Sequence, residues 1–294
     1  MKQKTFDEYM KERFGGKVYK LCLSTGCSCP GRDRGFPCIF CSAGGSGDFA
    51  APASLSIDDQ LLFAKEKVAG KLSAGFAGYM AYFQSFTNTY GPVEKLRPLF
   101  LSAADAPDVL CVSIATRPDC LSDEMVKMLG EINAVKPLFV ELGFQTAKES
   151  TARFIRRGYP NPVFEDALRR LHEKNIETIA HLIIGLPGET EEDWVQTASY
   201  ISRLADDGLI NGIKLQILQV LKGTELARLY EKDPSLVPDI SLEQYAAIIK
   251  NILRILPEDI VIHRITGDPP KSLIISPLWT TDKKKVLNYL RAAI

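Results

Sequence analysis

The sequence lacks the features that would place the protein in a membrane or outside a reducing compartment. No apolar run approaches the roughly 20 residues of a transmembrane helix, and residues 1–13 alternate charged and apolar residues instead of forming a signal peptide. The seven cysteines are an odd number, and three of them are clustered, which does not suit a disulfide framework. We therefore predict a cytoplasmic protein that makes no membrane contact.

An excess of charge of one sign is also absent. Lys and Arg total 36, Asp and Glu total 36, and the formal net charge is zero. The chain as a whole therefore has no electrostatic attraction to nucleic acid or to an anionic membrane, and any contact with RNA must be local. Internal repeats and low-complexity segments are missing as well. With 46% hydrophobic residues, the 294-residue chain can bury a substantial core.

What the sequence does contain is a loop with three cysteines directly after a strand-like run. Cys29, Cys38 and Cys41 follow residues 17–23. A cubane iron–sulfur cluster needs four ligands, so three protein thiolates leave one iron open to a small molecule. The glycine-rich residues 44–47 suit a loop whose backbone must approach a bulky cofactor closely. This pattern predicts a metal cluster with a vacant coordination position.

Other interpretations of the cysteines remain open from the residues alone. A C-x2-C pair is also typical of a zinc knuckle or a redox dithiol. Cys27 and Cys29 would complete a four-thiolate zinc site with Cys38 and Cys41, and the chain would then be a zinc-stabilised adaptor. A cluster protein that senses redox state or passes electrons without catalysis is a further alternative.

Short β-rich runs alternate with helix-length segments along the chain. Six runs are apolar enough to be buried on both faces: residues 17–23, 77–84, 109–114, 138–142, 178–184 and 213–219. Apolar residues at helical spacing lie between them, as in Leu61, Ala64, Val68 and Leu72. Ser56, Asn161 and Thr190 are the predicted N-caps of three of these helices.

This alternation predicts an α/β fold with parallel strands. Six units are too few for a complete eight-stranded barrel, so we expect a partial (β/α)6 barrel of the TIM type. Residues 1–230 would form this core, and residues 231–294 a C-terminal extension packed on it. Because the cysteine loop follows the first strand, it lies at the barrel mouth, where the strand C-termini and their loops converge.

A cysteine triplet after the first strand of a six-unit β/α chain resembles the radical S-adenosylmethionine (SAM) enzymes. Eight residues separate Cys29 from Cys38, which departs from the commonest C-x3-C-x2-C spacing and resembles the branch typified by the catalytic subunit of elongator. Further segments resemble the bacterial elongator-like radical SAM proteins. These segments are residues 29–33, 83–90, 116–119, 141–145, 156–158, 185–189 and 263–267.

The resemblance implies both the cofactors and a reaction. Cys29, Cys38 and Cys41 would hold a [4Fe–4S] cluster, and SAM would bind its fourth iron. Reductive cleavage of SAM would give a 5′-deoxyadenosyl radical that abstracts hydrogen from the substrate, with flavodoxin or ferredoxin as the expected electron donor. The elongator branch suggests modification of the C5 side chain of the wobble uridine in tRNA. A small molecule or a peptide is the alternative substrate.

The resemblance also implies contacts with SAM. They are Gln84, Ser85, Asn88, Glu141, Gln145, Arg157, Ile184, Gly185 and Leu186. The second-strand residues stand where relatives carry an acidic motif for the amino group of SAM, which this chain lacks. The fourth-strand residues would accept the ribose hydroxyls, and the fifth-strand segment would lie beside the adenine. Arg157 would clamp the carboxylate, a task that suits guanidinium geometry.

Four further residues are candidates for the catalytic, substrate side of the site. Arg117 would either face the substrate or pair with Asp119. Lys214 and Gln216 alternate on the sixth strand, so their shared face should point into the barrel. A buried lysine costs free energy unless it is paired, which indicates a partner for Lys214. His263 is a substrate-side candidate, with a structural turn as its alternative.

Overall fold

The computed structural model describes residues 1–45, 47, 50–268 and 270–294. Its strands are β1 Lys17–Leu23, β2 Phe76–Phe83, β3 Val109–Thr116, β4 Leu138–Gln145, β5 Glu177–Ile184, β6 Gly212–Ile217, β7 Val220–Leu221, β8 Val261–Arg264 and β9 Ile274–Ser276. Its helices are α1 Phe6–Phe14, α2 Pro30–Asp33, α3 Ile57–Ala69, α4 Val93–Asp105, α5 Asp123–Val135, α6 Glu149–Phe154, α7 Asn161–His172, α8 Glu191–Asp206, α9 Glu225–Lys232, α10 Leu242–Ile255 and α11 Lys283–Ala293. All six predicted strands are present.

The strands of the main sheet are all parallel and follow the order β1-β2-β3-β4-β5-β6-β8. The predicted partial barrel is therefore confirmed, with a seventh strand in addition. This strand, β8, comes from the predicted C-terminal extension and pairs with β6. The short strands β7 and β9 form a separate antiparallel pair. The proposed boundary at residue 230 stays a prediction, since the main sheet draws strands from both sides of it.

A hydrogen bond across the interior shows that the sheet is curled. The Lys214 Nζ on β6 donates to the hydroxyl oxygen of Tyr82 on β2 at 2.9 Å. These strands are four positions apart, which in a flat sheet would separate them by about 19 Å. The side chains meet because the twisted sheet bends into a half-barrel. Its concave side therefore faces an enclosed interior.

The N-terminal end of the barrel interior is closed by α1. Phe6 and Met10 of this helix pack against residues from five strands: Val18, Met80, Tyr82, Cys111, Phe139 and Ile179. The backbone of Lys4 also accepts a hydrogen bond from the N–H of Ile262 on edge strand β8, at 2.8 Å. This apolar plug leaves the opposite end, at the strand C-termini, for polar residues.

Helices cover the convex side of the sheet with a continuous apolar core. On α8 the apolar residues that recur at helical spacing are buried: Trp194, Ala198 and Ile201 are each no more than 7% exposed. The stripe predicted on α3 ends earlier than expected, because the helix ends at Ala69 and Leu72 is 39% exposed. No helix in the part of the chain that the structure describes has the length and apolar content to cross a bilayer.

Two of the three predicted N-caps are correct. The Ser56 hydroxyl accepts from the N–H of Asp59 at 3.1 Å, and Thr190 and Asp193 form a capping box. The prediction for Asn161 was wrong, because Pro160 is the N-cap of α7. The Asn161 side chain instead accepts a hydrogen bond from Arg157 at 2.8 Å. A tertiary partner has therefore replaced the local capping bond.

Candidate active site

The cysteine loop is anchored by its own backbone and by one apolar side chain. Pro30 begins α2 directly after Cys29, and the Cys29 carbonyl accepts from two N–H groups of that turn at 2.9 and 3.1 Å. Ile39, between the other two cysteines, is 2% exposed. Its N–H donates to Ile155 and its carbonyl accepts from Leu226. The loop is therefore held against α6 and α9 while its cysteines remain at the barrel mouth.

Cys29, Cys38 and Cys41 line one cavity of about 230 Å³, here called the cysteine cavity. It lies at the C-terminal ends of the strands, as expected for a loop after β1. Burial raises the pKa of the Cys38 thiol to about 12, and the nearby Cys41 adds to this shift. The Arg32 guanidinium donates to the Cys41 sulfur at 3.4 Å. A metal would have to displace the thiol protons, as thiolate ligands require.

The donor set fits an iron–sulfur cluster, since three cysteines that form no disulfide share one cavity and soft thiolates are its usual ligands. Cys27 does not line this cavity. It packs against the outer core, where its sulfur lies beside Gly91. The structure therefore does not bring Cys27 together with the other three cysteines, as a four-thiolate zinc site would require. Within the described ranges, no three His, Cys, Asp or Glu side chains are grouped so as to hold a single metal ion. Ser46, in the predicted glycine-rich run, lies outside the described residues.

A buried polar network occupies the barrel interior below the cysteines. The Glu141 carboxylate accepts from the Tyr82 hydroxyl at 2.8 Å and from the Ser113 hydroxyl at 2.9 Å. It also forms an ion pair with Lys214, whose side chain is 3% exposed. The partner expected for a buried lysine is therefore Glu141. Both residues were predicted to lie in the site, and the fold brings them into direct contact.

The network sets the charge of its members. Burial raises the pKa of Glu141, but the ammonium groups of Lys214 and Lys20 outweigh burial and hold that pKa well below its usual range. Burial lowers the pKa of Lys214 to about 7, although Glu141 opposes this shift. Burial also lowers the pKa of His181, on β5, to about 3. At neutral pH the interior thus holds an ionised carboxylate and a neutral imidazole.

Arg157 supports the end of strand β4 rather than standing free in the cavity. Its guanidinium, 1% exposed, donates to the carbonyls of Tyr159, Phe144 and Thr146 at 2.8–2.9 Å, in addition to the Asn161 side chain. These bonds hold a bulge in β4, where Gln145 has a φ of 65°. A side chain rarely adopts this left-handed conformation without support. Arg157 and Gln145 both line the cysteine cavity.

The predicted residues after β2 divide between the cavity and the loops behind it. Gln84 lines the cysteine cavity, whereas Ser85 and Asn88 do not. The Asn88 amide is fully buried and donates to the carbonyls of Phe83 and Ala115, both at 3.0 Å. Asn88 therefore ties the loops after β2 and β3 together. Sequence position alone could not separate these neighbours.

The predicted adenine segment shows the same division along β5. The side chains of Ile184 and Leu186 are buried in apolar clusters, and Gly185 stands between them with a φ of 85°. The cavity is lined instead by Ile183 and by Leu218 beyond β6. Alternate strand residues face opposite sides, so a shift of one position moves a side chain out of the interior. Contact of this segment with adenine stays a prediction.

The remaining predicted residues lie at different depths. Arg117 lines the cysteine cavity and pairs with Asp119 through two hydrogen bonds of 2.7 and 2.9 Å. Gln216 also lines this cavity. His263 lies lower, with its ring centroid 5.0 Å from that of Phe6 in the apolar plug. The structure thus places Arg117 and Gln216 at the cavity and His263 away from the cysteines.

Two interior residues were not predicted from the sequence. Tyr82 contacts both members of the Glu141–Lys214 pair, and Lys20 has its ammonium 5.2 Å from the Tyr82 ring centroid. A usable pattern was present, since Tyr82 lies two residues before Gln84 on the same strand face. Lys20 likewise lies two residues before Cys22 on β1.

Comparison with known proteins identifies the family. Residues 23–201 match the family described as the Radical SAM superfamily. The chain belongs to this superfamily. Residues 210–294 match the Radical SAM C-terminal domain. Proteins of this superfamily bind a [4Fe–4S] cluster and SAM, in agreement with the three cysteines at the barrel mouth.

The chain is similar to proteins of comparable length. YtqA of Bacillus subtilis is 40% identical over 286 residues, which cover 96% of this chain and 86% of YtqA. YhcC of Escherichia coli K12 is 31% identical over 279 residues, with 93% and 86% covered. These matches span almost the whole radical SAM protein, including its C-terminal segment.

The fold is also similar to that of the archaeal Methanocaldococcus infernus Elp3 with an N-terminal deletion. The TM-score is 0.67 at 17% sequence identity, over 94% of this chain and 63% of that chain. At this identity the similarity shows the shared fold alone. This chain spans less than two thirds of the Elp3 chain, whose remaining part has no counterpart in the alignment.

Proposed function

We propose that this radical SAM enzyme modifies the C5 side chain of the wobble uridine in tRNA. The observation that carries the proposal is the cysteine loop, whose Cys29-x8-Cys38-x2-Cys41 spacing resembles the elongator branch. The elongator-like segments line the same cavity as these cysteines, among them Arg117, Glu141 and Gln145. The matching fold of archaeal Elp3 supports this assignment.

The residues of the chain have separable tasks in this proposal. Cys29, Cys38 and Cys41 would hold the cluster, and with SAM bound it supplies radical chemistry at unactivated carbon. Gln84 and Gln145 would orient SAM at the strand ends, while Arg157 keeps Gln145 in place through the β4 bulge. The Glu141–Lys214 network would present fixed charges to the substrate in an interior shielded from water.

Local positive charge supports an RNA substrate despite the zero net charge of the chain. The barrel is open on one side, between edge strands β1 and β8, and cationic side chains surround this lateral opening. Those at its rim are Lys11, Lys67, Lys71, Lys283 and Arg291. Lys283 pairs with Asp268, and the other four have no ion pair among the described residues. Such a rim could contact phosphates without requiring a basic protein overall.

The proposal is tested by comparing the modified nucleosides of tRNA from cells with and without the gene. We expect a C5-substituted wobble uridine to be lost and its precursor to accumulate. Expression of the Cys27→Ala variant should restore the product, whereas Cys38→Ala should not. An unchanged nucleoside profile would reject the tRNA substrate. If the purified protein then still formed 5′-deoxyadenosine, a small molecule or a peptide would become the preferred substrate.

A further inference from the structure

The lateral opening is a second cavity, separate from the mouth that carries the cysteines. Its volume is about 990 Å³, and it lies between edge strands β1 and β8 with α1, α3 and α11 around it. Tyr82, Gln84, Arg264 and Asp268 line both this opening and the cysteine cavity. A group that entered from the side would therefore reach the region beneath the cysteines.

Positive charge is in excess where the two cavities meet. Lys20, Lys214 and Arg264 carry three cationic groups, and Glu141 is the interior carboxylate that faces them. Glu141 is already bound to Lys214. Burial lowers the pKa values of His181 and His263, so both imidazoles are uncharged at neutral pH and do not alter this balance.

The acidic groups near the rim do not restore the balance. Asp268 is paired with Lys283. Glu8 accepts hydrogen bonds from the backbone N–H and the hydroxyl of Thr5, both at 2.7 Å, and so caps α1. Asp7 is exposed in the first turn of that helix. Two positive charges, on Lys20 and Arg264, therefore have no ion pair among the described residues.

The surroundings of these two cations are suited to a ligand. The Lys20 ammonium lies 4.1 Å from the centroid of the Phe6 ring and 5.2 Å from that of Tyr82, contacts that only partly replace water around a charge. Burial lowers the pKa of Lys20, as expected for a charge without a partner. Arg264 uses its Nε to donate to the Thr266 carbonyl at 2.7 Å. Its terminal nitrogens have no hydrogen bond within the described ranges, so they are available for a bidentate contact.

We propose that Lys20 and Arg264 form a subsite for an oxyanion of the substrate, either a carboxylate or a phosphate group. The anion would enter through the lateral opening and balance the interior charge. Binding there would orient the substrate so that its reacting carbon faces the cysteine cavity. This subsite rests on the proposed function in one respect, namely that a substrate of the SAM-dependent reaction occupies the barrel interior.

The first test measures binding of inorganic phosphate and of acetate to the reconstituted full-length protein by calorimetry. Loss of one charged contact should weaken binding about tenfold to hundredfold, so we expect this effect in Lys20→Met and in Arg264→Gln. Lys127→Met is the matched control, because Lys127 is an exposed lysine of α5 that lines neither cavity. It should change the affinity less than about twofold, as expected for an exposed, screened charge. Preference for phosphate would indicate a phosphate group on the substrate, and preference for acetate a carboxylate.

Three outcomes would overturn the subsite. They are the absence of saturable anion binding, equal weakening in Lys127→Met, and displacement of the anion by SAM, which would assign the two cations to the cofactor. Folding of the variants is checked by thermal unfolding, and Lys20→Met should unfold at a higher temperature than the wild type in anion-free buffer. Because these measurements need no RNA, they remain informative even if the tRNA nucleoside comparison rejects the proposed function.

Discussion

Breaking the buried Glu141–Lys214 pair should destabilise the protein strongly. Lys214→Met keeps the length of the side chain but removes the ammonium, and Glu141, 5% exposed, is left as a buried charge. Loss of one partner of such a pair costs about 3–5 kcal/mol of unfolding free energy. Glu141 retains the hydroxyls of Tyr82 and Ser113, together with the field of Lys20, so we expect the lower end, about 3 kcal/mol.

A double-mutant cycle separates the pair from its surroundings. Glu141→Gln alone leaves Lys214 without its anion, beside Lys20 and Arg264, and should cost about as much as Lys214→Met. The double variant contains no unpaired charge at either position and should be clearly more stable than the sum of the single losses predicts. We expect a coupling free energy of at least about 2 kcal/mol.

The assay is urea unfolding at pH 6, followed by fluorescence and by circular dichroism, with the free energies extrapolated linearly to water. The wild type, both single variants and the double variant are compared at the same ionic strength. Additivity of the two single losses to within about 0.5 kcal/mol would show that the groups do not interact. That result would refute the buried ion pair.

Three further changes give distinct outcomes. Cys38→Ala should reduce the iron content from about four per chain to near zero and abolish 5′-deoxyadenosine formation. The control variant Cys27→Ala should retain both the iron and the activity. Equal loss in the two variants would contradict the ligand set. Burial raises the pKa of Glu189 from 4.5 to about 7, so its protonated form favours the fold and its contribution to stability falls as the pH rises through this range. The change in unfolding free energy caused by Glu189→Gln should therefore be more favourable at pH 8 than at pH 4, by up to about 3 kcal/mol. An equal change at both pH values would contradict the raised pKa of Glu189. In Arg157→Lys, the lysine cannot donate to all four acceptors at once, so the free energy of unfolding measured in urea should fall by about 2–4 kcal/mol. Unchanged stability would show that Arg157 does not hold the β4 bulge.

Much of the fold follows from local patterns in the sequence. The six buried runs predict parallel strands because each is apolar on both faces, and the structure places strands there. The cysteine triplet predicts a shared cavity because all three residues belong to one loop at the end of β1. The run of residues 260–263 also indicates a strand, but that this strand pairs with β6 and extends the main sheet depends on tertiary contacts.

The site was harder to predict wherever its geometry depends on contacts distant in sequence. Ile184 and Asn88 lie in the expected segments, yet their side chains face away from the cavity because neighbouring positions point to opposite sides or are drawn into loop hydrogen bonds. Arg157 is in the expected segment too, but its donors are taken by carbonyl groups that only the folded chain brings near.

The sequence by itself determined the order of β/α units and the three-cysteine loop, because strand burial and ligand spacing are encoded within short stretches. It also determined membership of the radical SAM superfamily. The tertiary structure alone decided that Tyr82, Glu141 and Lys214 share one network and that Lys20 and Arg264 stand together in the lateral opening. The reason is the curl of the sheet, which brings strands that are far apart in hydrogen-bonding order to opposite sides of one enclosed interior.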